Sequence, residues 1–157
     1  MELLSEQCAD GDVICLDVGQ NQMWAAQSFR LKKAQRMIIS GGLGAMGFSL
    51  PAALGAAKAL PGQRIVSLSG DGGIQINIQD FEVVVSHRLP VKIIVFNNNC
   101  LGIVRQFQDI YFGVRQQSTV VGYGCPDFVK IRVAFGMIDT TMHLLFIFLL
   151  IPVYSGE

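Results

Sequence analysis

The chain has 157 residues, which is enough for one domain with a hydrophobic core. Its 12 basic and 12 acidic residues give a net charge of zero, so we expect no electrostatic surface for nucleic acid or for an anionic membrane. Apolar residues make up 51% and charged residues 15% of the chain, a balance that predicts some apolar surface for a partner.

The cysteines and the apolar runs of the sequence argue against several classes of protein. The four cysteines form no Cys-x-x-Cys pair and only two histidines accompany them, which argues against a zinc site. Cys15 lies in an apolar run and is predicted to be a small core residue. Residues 1–6 lack the apolar segment of a signal peptide, and the apolar run at 144–153 is too short to span a bilayer as a helix. We therefore expect a reduced, cytoplasmic protein with no membrane segment.

The first predicted elements are a short helix within residues 1–10 and a buried strand at Val13–Leu16. Gly19, Gln20 and Asn21 follow as a polar turn at the carboxyl end of that strand, and residues 23–30 are predicted to be helical. Taken alone, this turn could be a plain strand-to-helix connection in which Asn21 caps the helix.

A second short strand at residues 37–39 leads into a glycine-rich loop at 41–47 and a helix at 48–60. Gly42, Gly44 and Gly47 match the Gly-x-Gly-x-x-Gly fingerprint of dinucleotide-binding domains. That fingerprint requires an acidic residue at the end of the next strand for the ribose, and residues 60–66 contain none. An NAD-binding Rossmann domain therefore remains only as an alternative.

Two longer apolar runs, at residues 64–69 and 91–96, read as buried strands. Between them Ile74, Ile78, Phe81 and Val85 recur at helical spacing, which predicts a crossover helix joining two parallel strands. The predicted fold class is therefore α/β, an open and mostly parallel sheet with helices on both faces.

Polar clusters follow both runs, and the carboxyl ends of parallel strands face one ligand-binding crevice. Asp71 and Asn98 would meet there, and their carboxylate and amide oxygens are hard ligands suited to Mg²⁺. The crossover helix begins with three glycines, Gly70, Gly72 and Gly73, and its first N–H groups are therefore free to bind a phosphate. The pattern predicts a site for a Mg²⁺-bound diphosphate, although Gly-Asp-Gly alone is also a common turn.

The combination of motifs carries a family resemblance. Gly-Asp-Gly followed by Asn-Asn, with the 24 residues 73–96 between the two parts, resembles the signature of thiamine-diphosphate (ThDP) enzymes. The neighbouring sequence at residues 89–93 and 101–106 is similar to that of the acetolactate (acetohydroxyacid) synthase large subunit. The similarity extends from about residue 9 to Gly136.

The resemblance implies a role for several residues around the cofactor. Gly19, Gln20 and Asn21 would contact its diphosphate, although Asn21 stands where the family usually has His and cannot carry a positive charge. The Gly44 carbonyl would accept a hydrogen bond from the cofactor's amino group, and the Met46 side chain would support its bent middle. Met46 could otherwise be an ordinary core residue at a helix start.

The segment after Asn98 resembles the family's remaining cofactor contacts and its substrate region. The main-chain carbonyl of Cys100 would be the third protein ligand of Mg²⁺, and Leu101 and Gly102 would contact the cofactor. Phe107 stands between two glutamines where acetolactate synthases have a Trp that helps to select the second ketoacid. The stretch from 111 to 119 resembles the family's mobile active-site segment.

The resemblance implies decarboxylation of a 2-ketoacid followed by carboligation, as in branched-chain amino acid biosynthesis. In the family, a Glu that contacts the cofactor's pyrimidine ring comes from a separate pyrimidine-binding domain, usually on another chain of a homo- or hetero-oligomer. None of the four glutamates here follows a strand so as to enter that ring pocket: Glu2, Glu6, Glu82 and Glu157. We therefore expect no activity from the chain alone, and a non-catalytic ThDP-binding fragment is the alternative.

The last predicted helix begins after Pro126-Asp127 and runs to Phe135, with Gly136 as its stop. We assign residues 1–137 to a ThDP- and Mg²⁺-binding domain and residues 138–157 to an atypical apolar tail. Compared with the family, the carboxyl end looks truncated or altered. The uncharged run at 144–151 is an aggregation hazard unless it docks as a strand.

Overall fold

The computed structural model describes residues 1–137, and the predictions for the tail at 138–157 lie outside these residues. It contains four strands: β1 (Val13–Leu16), β2 (Arg36–Ile39), β3 (Ile65–Gly70) and β4 (Val91–Phe96). They form one sheet in the order β2-β1-β3-β4, and each neighbouring pair is parallel. The predicted parallel α/β sheet is confirmed.

In the described part of the chain, seven α-helices connect and flank these strands: α1 (Glu2–Gln7), α2 (Gln20–Ser28), α3 (Ser49–Ala59), α4 (Asp71–Ile76), α5 (Phe81–Ser86), α6 (Gly102–Tyr111) and α7 (Phe128–Ala134). A short 3₁₀ turn, Ile78–Asp80, separates α4 from α5. Helix α2 begins at Gln20 and not at residue 23 as predicted, so the polar turn after β1 is the first turn of the helix. Among residues 1–137, no helix is both long and apolar enough to cross a membrane.

The sheet is buried on both faces, which explains why its central strands are almost continuously apolar. Val13 and Cys15 of β1 belong to the core under α3, α4, α5 and α7, whereas Ile14 and Leu16 belong to the core under α1 and α2. Helices on both faces are therefore confirmed. Cys15 is fully buried, as predicted, and burial raises the pKa of its thiol to about 12.

The crossover between β3 and β4 is not one helix, so the continuous helix predicted there is wrong. The chain leaves the α-helical path at Asn77, whose φ is −121° and ψ is 34°. The Asn77 side-chain amide donates to the carbonyl of Gly47, 2.7 Å away, a partner 30 residues distant in sequence. Within α5, Phe81 and Val84 are fully buried, whereas Val85, which belongs to the predicted helical spacing, is only partly buried.

The last described helix has the predicted signals at both ends. The Asp127 carboxylate caps α7 by accepting from the main-chain N–H groups of Val129 and Lys130, at 3.0 and 3.2 Å. Gly136 follows with φ of +71°, a left-handed conformation typical of a helix stop.

Candidate active site

A pocket of about 230 Å³ opens at the carboxyl ends of β1, β3 and β4. Every residue that the sequence analysis assigned to the cofactor or the metal lines it: Gly19, Gln20, Asn21, Gly44, Met46, Gly70, Asp71, Gly72, Gly73, Asn98, Cys100, Leu101 and Gly102. Parallel strands bring these residues together because their carboxyl ends lie on one edge of the sheet. The individual roles of these residues stay predictions.

Asp71 begins α4 on the floor of this pocket and is only 2% exposed. Its Oδ2 accepts a hydrogen bond from the Tyr123 hydroxyl at 2.7 Å, and its Oδ1 lies 3.5 Å from the main-chain nitrogen of Asn98. Burial raises the pKa of the carboxyl group, and these hydrogen bonds oppose that shift. None of the ion pairs among residues 1–137 involves Asp71. A buried carboxylate without a positive partner is costly, and a bound cation would remove that cost.

Asn98 and Cys100 complete the predicted metal ligands. The Asn98 amide nitrogen donates to Gln20 Oε1 at 2.8 Å, and Asn98 Oδ1 accepts from the Cys100 main-chain N–H at 3.3 Å. The amide oxygen keeps a second lone pair for another partner. Within the described part of the chain, no group of three or more His, Cys, Asp or Glu side chains could hold a metal. Any metal here would rest on one carboxylate and neutral oxygens, a set that suits Mg²⁺.

Three glycines keep the walls of the pocket at the level of the main chain. A side chain at Gly72 would collide with Leu101, and one at Gly102 would collide with Gln20. Gly19 has φ of +146° and its missing Cβ would lie 2.8 Å from Asn21 Oδ1. These glycines therefore leave room for Leu101, Gln20 and Asn21, three pocket-lining residues that lie close to the main chain.

Asn21 does not cap α2, so the alternative of an Asn cap is wrong. The cap position belongs to Gly19, and Asn21 is the second residue of the helix. Asn21 is buried and its Nδ2 donates to the Asp17 carbonyl at 3.1 Å. This bond uses one of its two amide hydrogens, which leaves one for the predicted phosphate contact.

The glycine-rich loop contributes Gly44 and Met46 to the lining of the pocket. Gly44 adopts φ of +62°, and Met46 is half-buried and lines the pocket. The Met46 methyl group lies 3.5 Å from the position that a Cβ of Gly72 would occupy. The arrangement puts a flexible apolar side chain next to the predicted diphosphate seat, and not into the core.

Sequence reasoning missed two residues of this region. The Asp17 carboxylate holds the exit of the glycine-rich loop, accepting from the Gly47 and Phe48 N–H groups at 2.8 and 3.2 Å. The available signal was an acidic residue directly after a buried strand. Tyr123, which bonds to Asp71, lies in an irregular segment where nothing local pointed to it.

The comparisons with known proteins agree with this geometry. A family model described as "Thiamine pyrophosphate enzyme, C-terminal TPP binding domain" matches residues 17–143. The chain belongs to this family. Thiamine pyrophosphate is another name for ThDP, so the resemblance found in the sequence is confirmed. The match begins later and ends later than the span from about residue 9 to Gly136 that the sequence indicated.

Acetolactate synthase large subunits are among the similar proteins. The chain is 42% identical over 139 residues to the probable acetolactate synthase large subunit of Methanocaldococcus jannaschii, which covers 87% of this chain and 23% of that protein. It is 49% identical over 121 residues to the acetolactate synthase isozyme 3 large subunit of Escherichia coli, covering 76% of this chain and 21% of that protein. The chain therefore spans less than a quarter of the length of these two relatives.

A solved structure shows the same fold. The thiamine diphosphate-dependent 4-hydroxybenzoylformate decarboxylase of Rhodococcus jostii superimposes with a TM-score of 0.76 at 26% identity. The superposition covers 86% of this chain and 25% of that chain. The parallel sheet and its helices thus form the ThDP-binding fold.

Proposed function

We propose that this chain binds ThDP together with Mg²⁺ and serves as the diphosphate-binding domain of an acetolactate-synthase-like enzyme. The observation that carries the proposal is Asp71, a buried carboxylate without a basic partner among residues 1–137, beside Asn98 at the ends of adjacent strands. Membership of the ThDP-binding family supports the same assignment.

The residues present fit the cofactor and its metal. Asp71, Asn98 Oδ1 and the Cys100 carbonyl would hold Mg²⁺, with diphosphate oxygens and water completing its octahedral shell. Gln20 and Asn21, at the start of α2, would offer amide groups to the diphosphate. When bound, ThDP supplies the thiazolium carbon at which a 2-ketoacid loses carbon dioxide.

The ring end of the cofactor would be held by the glycine-rich loop. The open backbone at Gly44 allows a carbonyl to approach the ring system closely, and Met46 provides an adaptable apolar support. These groups bind and orient, and none of them is an acid or a base. Gly44 and Met46 would therefore only hold and orient the cofactor's rings. Another group has to transfer the proton.

A partner that brings a pyrimidine-binding domain would complete the site. Of the glutamates in residues 1–137, none lines the pocket, and Glu82 lies exposed on α5. Large apolar side chains are exposed near the pocket and along α6: Leu43, Ile103, Phe107, Ile110 and Tyr111. Another domain of the same enzyme, in a homo- or hetero-oligomer, would pack against this apolar surface.

The proposed substrates are 2-ketoacids, in a cytoplasmic enzyme of branched-chain amino acid biosynthesis. Phe107 is half-exposed on α6, the helix whose first turn lines the pocket, and its ring lies 4.6 Å from that of Tyr111. An aromatic pair at this position offers an apolar contact for a ketoacid side chain. The second candidate is a ThDP-binding domain without turnover, because every residue that we identify here binds and none transfers a proton.

Calorimetric titration of the chain with ThDP, with and without Mg²⁺, tests the proposal. We expect binding that requires the metal and that Asp71→Ala abolishes, because the remaining ligands are neutral. Asp127→Asn is the matched control, since it removes a carboxylate at the α7 cap where Asn caps equally well. ThDP binding that is unaffected by Mg²⁺, or unchanged in Asp71→Ala, would contradict the proposal.

A further inference from the structure

Asp17 is a fully buried carboxylate at the end of β1, one residue beyond the strand. It accepts hydrogen bonds from three main-chain amides and two hydroxyl groups: Val18 at 2.7 Å, Gly47 at 2.8 Å, Phe48 at 3.2 Å, Ser49 at 3.4 Å and Ser69 at 2.6 Å. All of these partners are donors, which matches the acceptor-only capacity of an ionised carboxylate.

The two oxygens of Asp17 face different parts of the site. Oδ1 receives the N–H groups of Gly47 and Phe48, at the exit of the glycine-rich loop that carries Gly44 and Met46. Oδ2 receives the hydroxyl of Ser69, the residue that precedes the Gly70-Asp71 pair. The Asp17 side chain therefore connects two parts of the site. One is the glycine-rich loop, which would face the cofactor's rings, and the other is the end of β3, which would hold its metal.

Within the described residues, few side chains other than Asp17 hold the glycine-rich loop. Gly47 is held at φ of +81°, and residues 41–45 are exposed. Two further side-chain hydrogen bonds reach the loop: the Ala45 N–H donates to Ser40 Oγ, and the Asn77 amide donates to the Gly47 carbonyl. A side chain at Gly73 would collide with Asp17 Oδ2, so Gly73 leaves room for the Asp17 carboxylate.

Packing alone does not require a charge at this position. An apolar side chain would fill the space, but it would leave buried N–H groups without acceptors, which is costly. Ser67 belongs to the same buried network, donating to Ser49 Oγ at 3.1 Å, yet it makes no contact with the loop. The network thus offers one residue that holds the loop and one that does not.

We propose that Asp17 is a positioning residue that fixes Gly44 and Met46 relative to Asp71, and so sets the distance between the ring-binding wall and the metal end of the site. The inference rests on the proposed function, because it concerns how the same cofactor would be seated. Asp17 itself touches neither metal nor cofactor and acts through the loop.

Amide hydrogen exchange on the chain without cofactor tests the first half of the inference. Asp17→Asn keeps the size of the side chain but loses the charge, so we expect the Gly47 and Phe48 amides to exchange at least about tenfold faster. Amides in the centres of β1 and β3 should change much less. Ser67→Ala is the matched control and should leave the loop amides protected. Equal acceleration at the loop and in the strands would mean a general loss of stability and would overturn the inference.

Binding measurements test the second half. Asp17→Asn should weaken Mg²⁺-dependent ThDP binding about tenfold, whereas binding of inorganic pyrophosphate with Mg²⁺ should change less than about twofold, since pyrophosphate lacks the rings that the loop would contact. In a Met46→Ala background, Asp17→Asn should have a much smaller effect on ThDP, because the two changes remove the same contact. If Asp17 had a purely structural role, Asp17→Asn would weaken the binding of ThDP and of pyrophosphate equally. Its effect on ThDP binding would then be additive with the effect of Met46→Ala.

The outcomes separate the two proposals. If the unmodified chain does not bind ThDP with Mg²⁺, the proposed function fails, and hydrogen exchange still decides whether Asp17 fixes the loop. If the unmodified chain binds ThDP and folded Asp17→Asn binds it equally well, the positioning role is wrong. If Asp17→Asn does not fold, hydrogen exchange on the unmodified chain tests the inference instead. The inference is wrong if the Gly47 and Phe48 amides of that chain exchange as fast as the amides of residues 41–45.

Discussion

Two buried carboxylates lie at the same edge of the sheet, and their surroundings give them different tasks. Asp17 is surrounded by donors and needs no cation, so it can hold a loop in place. Asp71 accepts from Tyr123, lies in no ion pair among residues 1–137, and has a raised pKa because of burial. The sequence shows both as an acid after an apolar run, and only the donors around them distinguish a structural carboxylate from the metal ligand that we propose.

Asp71→Asn should stabilise the chain without cofactor at neutral pH while abolishing Mg²⁺-dependent binding. Because the pKa of Asp71 is raised in the folded state, its ionised form costs stability above that pKa, and stability recovers as the pH falls through it. We expect the variant to gain ~1 kcal/mol at pH 7, or about 2–4 °C in Tm for a chain of this size.

This gain should shrink as the pH is lowered through the raised pKa of Asp71 and disappear below the ordinary pKa of an Asp. Thermal unfolding of both proteins across that range measures the gain. A gain that stays constant down to acid pH would show that the charge of Asp71 is not the cause.

Tyr123→Phe should increase the affinity of the site for Mg²⁺. The hydroxyl donates to the Asp71 oxygen at 2.7 Å, so metal binding has to compete with this hydrogen bond. Removing a bond of ~1 kcal/mol should raise Mg²⁺ affinity about fivefold at saturating ThDP, as measured by calorimetry. Tyr111→Phe, at an exposed position on α6, should have no effect. Weaker Mg²⁺ binding in Tyr123→Phe would instead make the hydroxyl part of the metal site.

At the scale of elements, the site depends on how closely the start of α6 approaches the start of α2. Gly102 is the first residue of α6, and the space that its side chain would need is taken by Gln20, the first residue of α2. Gln20 in turn accepts from Asn98. The contact between these two helix starts therefore fixes a predicted metal ligand, and an added methyl group would push them apart.

Gly102→Ala should consequently be destabilising, although Ala favours a helix over Gly by about 1 kcal/mol. We expect a lower Tm and weaker Mg²⁺-dependent ThDP binding, since the Gln20–Asn98 bond would be displaced. Gly55→Ala is the matched control, because Gly55 is exposed in α3 and nothing lies within 4 Å of the position that a Cβ would occupy there, so this substitution should raise the Tm. If both substitutions raise the Tm, the contact between α6 and α2 does not constrain the site.

The elements also show which features a sequence can predict. The bounds predicted for β1 match the observed strand, and the predicted site residues do line one pocket, because both depend on local apolar runs and the rule that parallel strands end at one edge. The break at Asn77 escapes prediction, since it depends on a hydrogen bond to Gly47 that no helical periodicity contains. Tyr123 escapes prediction for the same reason: its partner Asp71 is 52 residues away.

At the scale of the whole molecule, the described residues form one wall of a site. Strand ends, glycines and the predicted metal ligands line an open pocket, and exposed apolar groups lie near it. Relatives several times longer contain this region as less than a quarter of their length. A domain of this kind can seat the diphosphate end of a cofactor, while the rings need a second surface to exclude water.

The chain alone should therefore not turn over a 2-ketoacid. Among residues 1–137, no glutamate lines the pocket and Asp71 is the acid that would be occupied by Mg²⁺, so this part of the chain leaves no side chain to activate the ring end of the cofactor. We expect purified chain with pyruvate, ThDP and Mg²⁺ to release carbon dioxide no faster than the free cofactor. Adding a pyrimidine-binding domain that carries the activating Glu should produce turnover, and Asp71→Ala should abolish it. Turnover by the chain alone that is well above the free-cofactor rate, and that Asp71→Ala removes, would show that the described residues already contain a complete active site.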